Sequence, residues 1–275
     1  MSIVNSNLQA TKAQNALVQN NRVLSQTMAQ LSTGSRINSA ADDAAGLAIS
    51  TQLTTQARSL NVAVRNTNDG ISMLQTADSA AGGIQEILFR LKELAVQSIN
   101  DTNSGNDRTA LNAEFAQLEI QITNIVANTT WNGMKLLDGT VGNAGTVGYH
   151  VGAAANDTMN VTYADFDLAN EPLTTVRTIE TGANANTALG SIDGAINQIS
   201  EARTTWGAAM NRLVHAGDNA TKVSMHLTES KSRIKDTDYA QATAELARAM
   251  IMNQAGSAMV SQANQQPYYV LALLI

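Results

Sequence analysis

The 275-residue chain has no cysteine, two prolines and only 4% aromatic residues. Without thiols it can form neither disulfides nor thiolate metal sites, which is compatible with an extracellular protein stabilised by assembly instead of cross-links. Scarcity of proline and of large rings argues against a globule built on bulky side chains and for long helices packed through small residues. Basic charge is also short: 17 Lys and Arg stand against 23 Asp and Glu, for a net charge of −6. That balance leaves no electrostatic footprint for nucleic acid. No apolar run is long enough for a membrane span; the uncharged stretch 249–275 is interrupted by Gln254, Ser257, Ser261, Gln262, Asn264, Gln265 and Gln266. It also lacks the flanking basic residues of a membrane-surface helix. The opening Met1-Ser2-Ile3-Val4-Asn5 shows no basic or apolar leader region, so a cytoplasmic protein or one exported with an uncleaved N-terminus is expected.

Catalytic signatures are missing as well. The histidines, His150, His215 and His226, are scattered, and no zinc-protease, serine-hydrolase or phosphate-loop motif occurs. Met250, Met252 and Met259 sit at helical spacing in an uncharged segment, where methionine fills a core more readily than it ligates a metal. No catalytic residue, cofactor or metal is therefore assigned.

What is present is a pair of heptad-patterned ends. Ile3, Ala10, Leu17, Leu24 and Leu31 recur every seven residues, and the first 35 residues carry only Lys12 and Arg22 as charges. At the other end Leu246, Asn253 and Val260 form one seven-residue line, and Ala242, Ala249, Gly256 and Ala263 form another. Chain ends are usually polar and frayed; two apolar, heptad-patterned ends are expected to pair with each other and then with neighbouring copies. The fold class expected is mainly α, a long antiparallel helical bundle and coiled coil built from both termini, with a small β-hairpin element in the middle. The expected division is 1–35 with 239–275 as the terminal coil, 36–130 with 189–238 as a helical bundle, and 131–188 as a short β element and loop.

Local signals refine this plan. Gly34 suits a left-handed helix end. Ser39 and Asp42 have capping-box spacing, with Asp43 adding negative charge at a helix start, which explains this carboxylate pair without metal or catalysis. One helix is expected from about Ala44 to Ile99, continuing through Gly70 and Gly82-Gly83 because the apolar spacing resumes in phase, the glycines allowing a neighbour to approach closely. A turn over Asp101–Asp107 leads into an antiparallel helix through Leu111, Phe115, Leu118, Ile122 and Ile125. Met134–Leu137, Thr146–Val151 and Thr158–Tyr163 read as three strands. A loose stretch to about Ala188 precedes a helix from about Ser191, and Asp238 with Gln241 repeats the capping spacing before the last helix.

Several blocks together resemble bacterial flagellin. They are Leu31-Ser32-Thr33-Gly34-Ser35-Arg36-Ile37-Asn38-Ser39-Ala40-Ala41-Asp42-Asp43-Ala44-Ala45-Gly46-Leu47, Asn68–Ser72, Leu91–Ser98, Trp131–Leu137, Arg233–Ala240 and Gln262–Gln265, in family order across nearly the whole chain. The resemblance implies a short-form structural subunit that polymerises into the flagellar filament, with the two terminal helices at the filament core. Self-assembly is then expected to rest on Ile3, Ala10, Leu17, Leu24, Leu31, Leu246, Val260 and Ala263. It further implies an extracellular location, export through a type III apparatus with a chaperone, and contacts with filament cap and junction proteins, with no nucleic acid and no membrane partner. The tail departs from the family at Tyr268, Tyr269 and Ile275. Arg90, Leu94, Gln97 and Glu114 resemble a patch read by an animal Toll-like receptor, with Phe89 a departure. Residues 29–50 resemble the epitope of a plant receptor kinase, with Ala29, Gln30, Ala41 and Ala48 departing. A hook–filament junction protein shares the two-ended coil and is the alternative reading.

Overall fold

The computed structural model describes residues 6–166 and 178–272, with side chains through Gln265. Among the described residues the chain forms five helices, α1 (Leu8–Thr33), α2 (Ala44–Ile99), α3 (Gly105–Asn128), α4 (Gly182–Lys235) and α5 (Tyr239–Ala272), with four short strands between α3 and α4 in chain order. The strands are β1 (Thr130–Trp131), β2 (Met134–Lys135), β3 (Thr146–His150) and β4 (Thr158–Thr162). The chain divides into two compact units, 1–55 with 226–275 and 56–225.

In the first unit α1 ends as its sequence dictates, with Gly34 at φ +68°. The next cap differs from expectation. Asp42 accepts from the amides of Ser39 (2.8 Å) and Asn38 (3.0 Å), but the Ser39 hydroxyl donates to Asp42 (3.1 Å) and does not accept from its amide. The helix begins one turn later, where Asp43 accepts from the Gly46 amide at 2.8 Å. Asp42 and Asp43 thus divide the work, one closing the turn and the other capping α2. Asp238 caps α5 by accepting from Ala240 and Gln241. The chain entering α2 is tied to the end of α4 by Arg36 N–H to Lys235 O (2.6 Å), with Thr237 N–H to Gly34 O (3.0 Å) beside it.

In the second unit α2, α3 and α4 wrap one apolar core that includes Leu74, Ile84, Leu88, Leu91, Phe115, Ile122, Ile192, Ile199, Trp206 and Leu213. Antiparallel packing of α2 on α3 is fixed by Arg90 with Glu114 and by Arg108 Nε donating to Ser98 O (2.9 Å). Antiparallel packing of α2 on α4 is fixed by Arg203 with Asp78 (2.7 Å) and Lys92 with Asp193 (2.5 Å). The helix α2 does run unbroken through Gly70 and Gly82-Gly83. Gly70 earns its place: a Cβ there would lie 2.9 Å from the Tyr149 ring. Gly82 and Gly83 have no comparably close neighbour, so close approach does not explain them.

Three further expectations need correction. α3 starts inside the expected turn because Ser104 and Asp107 form a full capping box. α4 starts at Gly182, well before Ser191, because Ala185, Ala188 and Ile192 already follow an inward helical line. The strand Met134–Leu137 is not one of three successive strands: β2 pairs with β1 across Asn132 and Gly133, both at positive φ, while Leu136 and Leu137 turn into the core. β3 and β4 form a separate antiparallel pair from Thr146↔Thr162 to His150↔Thr158. Its inward face carries Tyr149, Met159 and Val161. The Tyr149 and Tyr163 hydroxyls share a 2.6 Å hydrogen bond, and Trp206 Nε1 donates to Thr162 O at 3.0 Å, fastening the pair to α4.

Candidate assembly interface

Around α1 the shielded positions from Ala10 are Ala10, Ala13, Leu17, Asn20, Leu24, Thr27 and Leu31, joined near the helix end by Gln30; around α5 they are Ala242, Leu246, Ala249, Asn253, Gly256, Val260 and Ala263. Both main series alternate steps of three and four, the seam of a left-handed antiparallel coil. Asn7 Nδ2 donates to Ala263 O (2.7 Å), Asn20 Nδ2 donates to Ala249 O (2.8 Å), and Tyr239 donates its hydroxyl to Leu31 O (3.2 Å). Asn253 donates to Asn21 across the same seam. These amide contacts pin the register, since a one-residue slip would strand each of them. At Gly256 the helices come so close that a Cβ would fall 2.8 Å from Leu17 Cδ1.

All described members of the sequence-derived assembly set, Ala10, Leu17, Leu24, Leu31, Leu246, Val260 and Ala263, therefore lie in the α1–α5 seam. Ile3 and Ile275 lie outside the described residues, and Tyr268 and Tyr269 lie in the last turns of α5 beyond the last described side chain. What the heptad reading did not identify is the surface left over. Leu8, Val18, Val23 and Met28 on α1, and Met250, Ile251, Met252 and Met259 on α5, are exposed. α1 carries only Lys12 and Arg22 as charges and α5 only Glu245 and Arg248. Met250, Ile251 and Met252 are consecutive, so they point about 100° apart and leave apolar surface on several sides of one helix. A helix with large apolar side chains on several sides and few charges suits burial among other helices, and among the described side chains α5 is covered only along its seam.

The second unit carries the other expected patch. Arg90 donates through Nε (2.9 Å) and one terminal nitrogen (2.8 Å) to Glu114, and through the other to Glu93 (3.1 Å), all three side chains being exposed. The Glu114 bond first, then that to Glu93, raises the pKa of Arg90 above its ordinary value. Gln97 is exposed nearby on α2. Leu94 does not join them at the surface: it is 1% exposed, because position 94 continues the inward line of Ile84, Leu88, Leu91 and Ala95. The apolar part of this face is supplied by Phe89 (41% exposed) and Val96 (54% exposed), which with Lys92, Glu93 and Gln97 line an open hollow of about 490 Å³. Phe89 stood out in the sequence only as a departure, with no signal for its exposure beyond its place opposite the inward line.

Among the described residues no helix is long and apolar enough to cross a membrane, and no group of three or more His, Cys, Asp or Glu could hold a metal ion. Comparison with known proteins is decisive for identity. The profile of the bacterial flagellin N-terminal helical region matches residues 4–142, and that of the C-terminal helical region matches residues 189–274. The flagellin of Halalkalibacterium halodurans is 43% identical over 273 residues, covering 99% of both chains, and that of Bacillus subtilis is 36% identical over 288 residues, covering 98% of this chain and 99% of the relative. The crystal structure of Bacillus cereus flagellin, 35% identical, superposes with a TM-score of 0.51 over 57% of this chain and 88% of its own. The paired terminal helices and the match across both helical regions lead to one conclusion: this chain belongs to the bacterial flagellin family and is a structural subunit of the extracellular flagellar filament.

Proposed function

We propose that polymerisation proceeds through the α1–α5 coil. The seam residues Ala10, Leu17, Leu24, Leu31, Leu246, Val260 and Ala263 hold the two chain ends together, and the outer apolar surfaces of both helices meet other copies. The observation that carries this reading is the combination of a seam satisfied within the chain and, on the same two helices, nearly uncharged outer faces that leave Leu8, Val18, Val23, Met28, Met250, Ile251, Met252 and Met259 exposed. Identical subunits joined head to tail without closure give a filament and not a ring. Ile3 is assigned to the same coil on the strength of its heptad position alone. Removal of residues 249–275 tests the reading: negative-stain microscopy of the purified truncated chain, after a salt or seed trigger, is expected to show no filaments. Long filaments from the truncated chain would overturn it.

In the same proposal the chain leaves the cell through the flagellar type III apparatus, escorted by an export chaperone, and is placed against cap and junction proteins. Its work is mechanical and needs no catalytic residue or cofactor. The exposed Arg90–Glu114–Glu93 cluster beside Phe89 and Val96 favours a second, host-facing role for this face, recognition by an animal Toll-like receptor. Arg90, Gln97 and Glu114 would contact the receptor directly, and Leu94 would act from beneath by holding α2 in place. Residues 29–50, which contain the Gly34 turn and the Asp42–Asp43 cap, are the segment a plant receptor kinase would read. A receptor ectodomain that binds the Arg90→Ala monomer as well as the parent would remove Arg90 from the animal-receptor surface.

A further inference from the structure

Among the described residues six methionines are exposed, and four of them, Met28, Met250, Met252 and Met259, lie on the α1–α5 coil with more than half of their surface open. Met73 and Met159, by contrast, are buried in the core of the other unit. On α5 the three methionines are spread around the helix outside the seam, and Met252 and Met259, seven residues apart, share one line. A thioether is soft, apolar and adaptable, which suits a surface that must fit several neighbours, but it is also the side chain that peroxides convert to a polar sulfoxide. The unassembled coil therefore exposes its most oxidisable atoms on the surface that another copy of this chain covers.

We propose that Met28, Met250, Met252 and Met259 form an oxidation-sensitive assembly surface: peroxide modifies them in the free subunit and blocks polymerisation, and burial in the filament protects them. This rests on the coil being the polymerising element. In the reaction a sulfur lone pair attacks one oxygen of hydrogen peroxide, the O–O bond breaks, the S–O bond of the sulfoxide forms, and the departing hydroxide takes the remaining proton to leave as water. Sulfur loses two electrons and the peroxide gains them. The new oxygen turns a flexible apolar side chain into a larger polar one, which must be desolvated and refitted wherever the thioether packed against a neighbouring copy. The occupant is argued from likeness: α1 and α5 carry the same outer chemistry, exposed Leu, Val, Ile and Met set among amides and hydroxyls with few charges, so the surface that fits one copy's coil is another copy's coil.

The test treats purified monomer with hydrogen peroxide, maps each methionine by peptide mass spectrometry, and follows seeded polymerisation by sedimentation. Met28, Met250, Met252 and Met259 are expected to oxidise while Met73 and Met159 do not. The critical concentration should rise at least about tenfold, since four apolar contacts become polar at once and each need supply only part of that factor. Methionine sulfoxide reductase should restore assembly, and preformed filaments should resist oxidation at the four positions. The M28L/M250L/M252L/M259L chain should polymerise equally well before and after peroxide, whereas M134L/M225L, which removes the exposed methionines of the other unit, should stay sensitive. Normal polymerisation of the oxidised parent, or equal sensitivity of the fourfold variant, would overturn the inference. If the fourfold variant does not assemble even untreated, reductase rescue of the oxidised parent decides. Assembly of the chain lacking 249–275 would instead remove the coil reading itself, so the two failures are distinguishable.

Discussion

Leu94→Ala should act on stability and not on a surface contact. Leu94 is 1% exposed in a core shared with Leu91, Ala95, Phe115 and Ile122, so the substitution deletes buried carbon and leaves a cavity that two long helices cannot close by collapsing. The transfer and cavity effects together are worth about 2–5 kcal/mol for a buried leucine. For a cooperative unit of this size each 1 kcal/mol moves the midpoint by about 2–4 °C, so a loss near the middle of that range lowers Tm by about 6–14 °C. Arg90→Ala, one helical turn away, removes an exposed ion cluster and should leave the melting curve of the monomer nearly unchanged. Circular dichroism melts and urea titrations of the parent and both variants, at monomer concentration, provide the measurement. In a receptor titration the pattern should invert, with Arg90→Ala weakening binding directly and Leu94→Ala weakening it only in proportion to loss of fold. A Leu94→Ala monomer as stable as the parent would refute the assignment of this residue to the core.

Three further outcomes are expected. Gly70→Ala should destabilise the monomer by about 1–3 kcal/mol despite its better helix propensity, because the new Cβ meets a Tyr149 ring pinned by Tyr163, whereas Gly83→Ala, with nothing within 4 Å, should stabilise it by about 1 kcal/mol; urea titrations check both signs. Asp42 is held below its ordinary 3.8 by the amide of Ser39 first and that of Asn38 second, so its contribution is complete above 3.8 and is lost as pH falls through the lowered value; the protection factors of the Asn38 and Ser39 amides, relative to intrinsic exchange at the same pH, should fall in acid, and Asp42→Asn should abolish that pH dependence. Burial, aided by the Tyr149 hydroxyl, pushes Tyr163 well above its ordinary 10.0, so stability is complete below pH 10 and declines above it; ultraviolet titration should show Tyr163 ionising only as the protein unfolds.

The terminal coil was legible in the sequence because its signal is periodic and long. Heptads over α1 and α5, with Gly34 and Asp238 at their boundaries, survive any local ambiguity, and the in-phase spacing across Gly70 outweighed two or three poor helix formers. Where the signal was short it misled. The start of α4 was hidden because Gly182–Asn186 looks like loop composition, while the deciding residues, Ala185 and Ala188, are small and give a weak hydrophobic pattern although both are buried. The Ser39 and Asp43 ambiguity is one of spacing: two acidic residues in succession each satisfy part of a cap, and only geometry assigns the turn to one and the helix start to the other. Met134–Leu137 reads as the head of a strand series because Asp138-Gly139 follows it as a turn signal, yet Asn132-Gly133 is the stronger hairpin signal and Leu136 and Leu137 are core anchors. Leu94 came from resemblance, and resemblance does not say which face of α2 a residue occupies; the spacing from Ile84 to Ala95 did contain that information.

Polymerisation through the chain ends requires that the α1–α5 coil be completed by neighbouring copies. Its seam is built largely from Ala, Asn, Thr and Gly, which bury little apolar area against a backbone ordering cost of about 1–2 kcal/mol per residue. Amide hydrogen exchange on dilute monomer and on assembled filament measures this directly. Leu8–Thr33 and Tyr239–Ala272 should exchange rapidly in the monomer and become strongly protected in the filament, while the core helices of residues 56–225 are protected in both. Equal protection of α1 and α5 in monomer and filament would contradict the claim that these helices are the polymerising element.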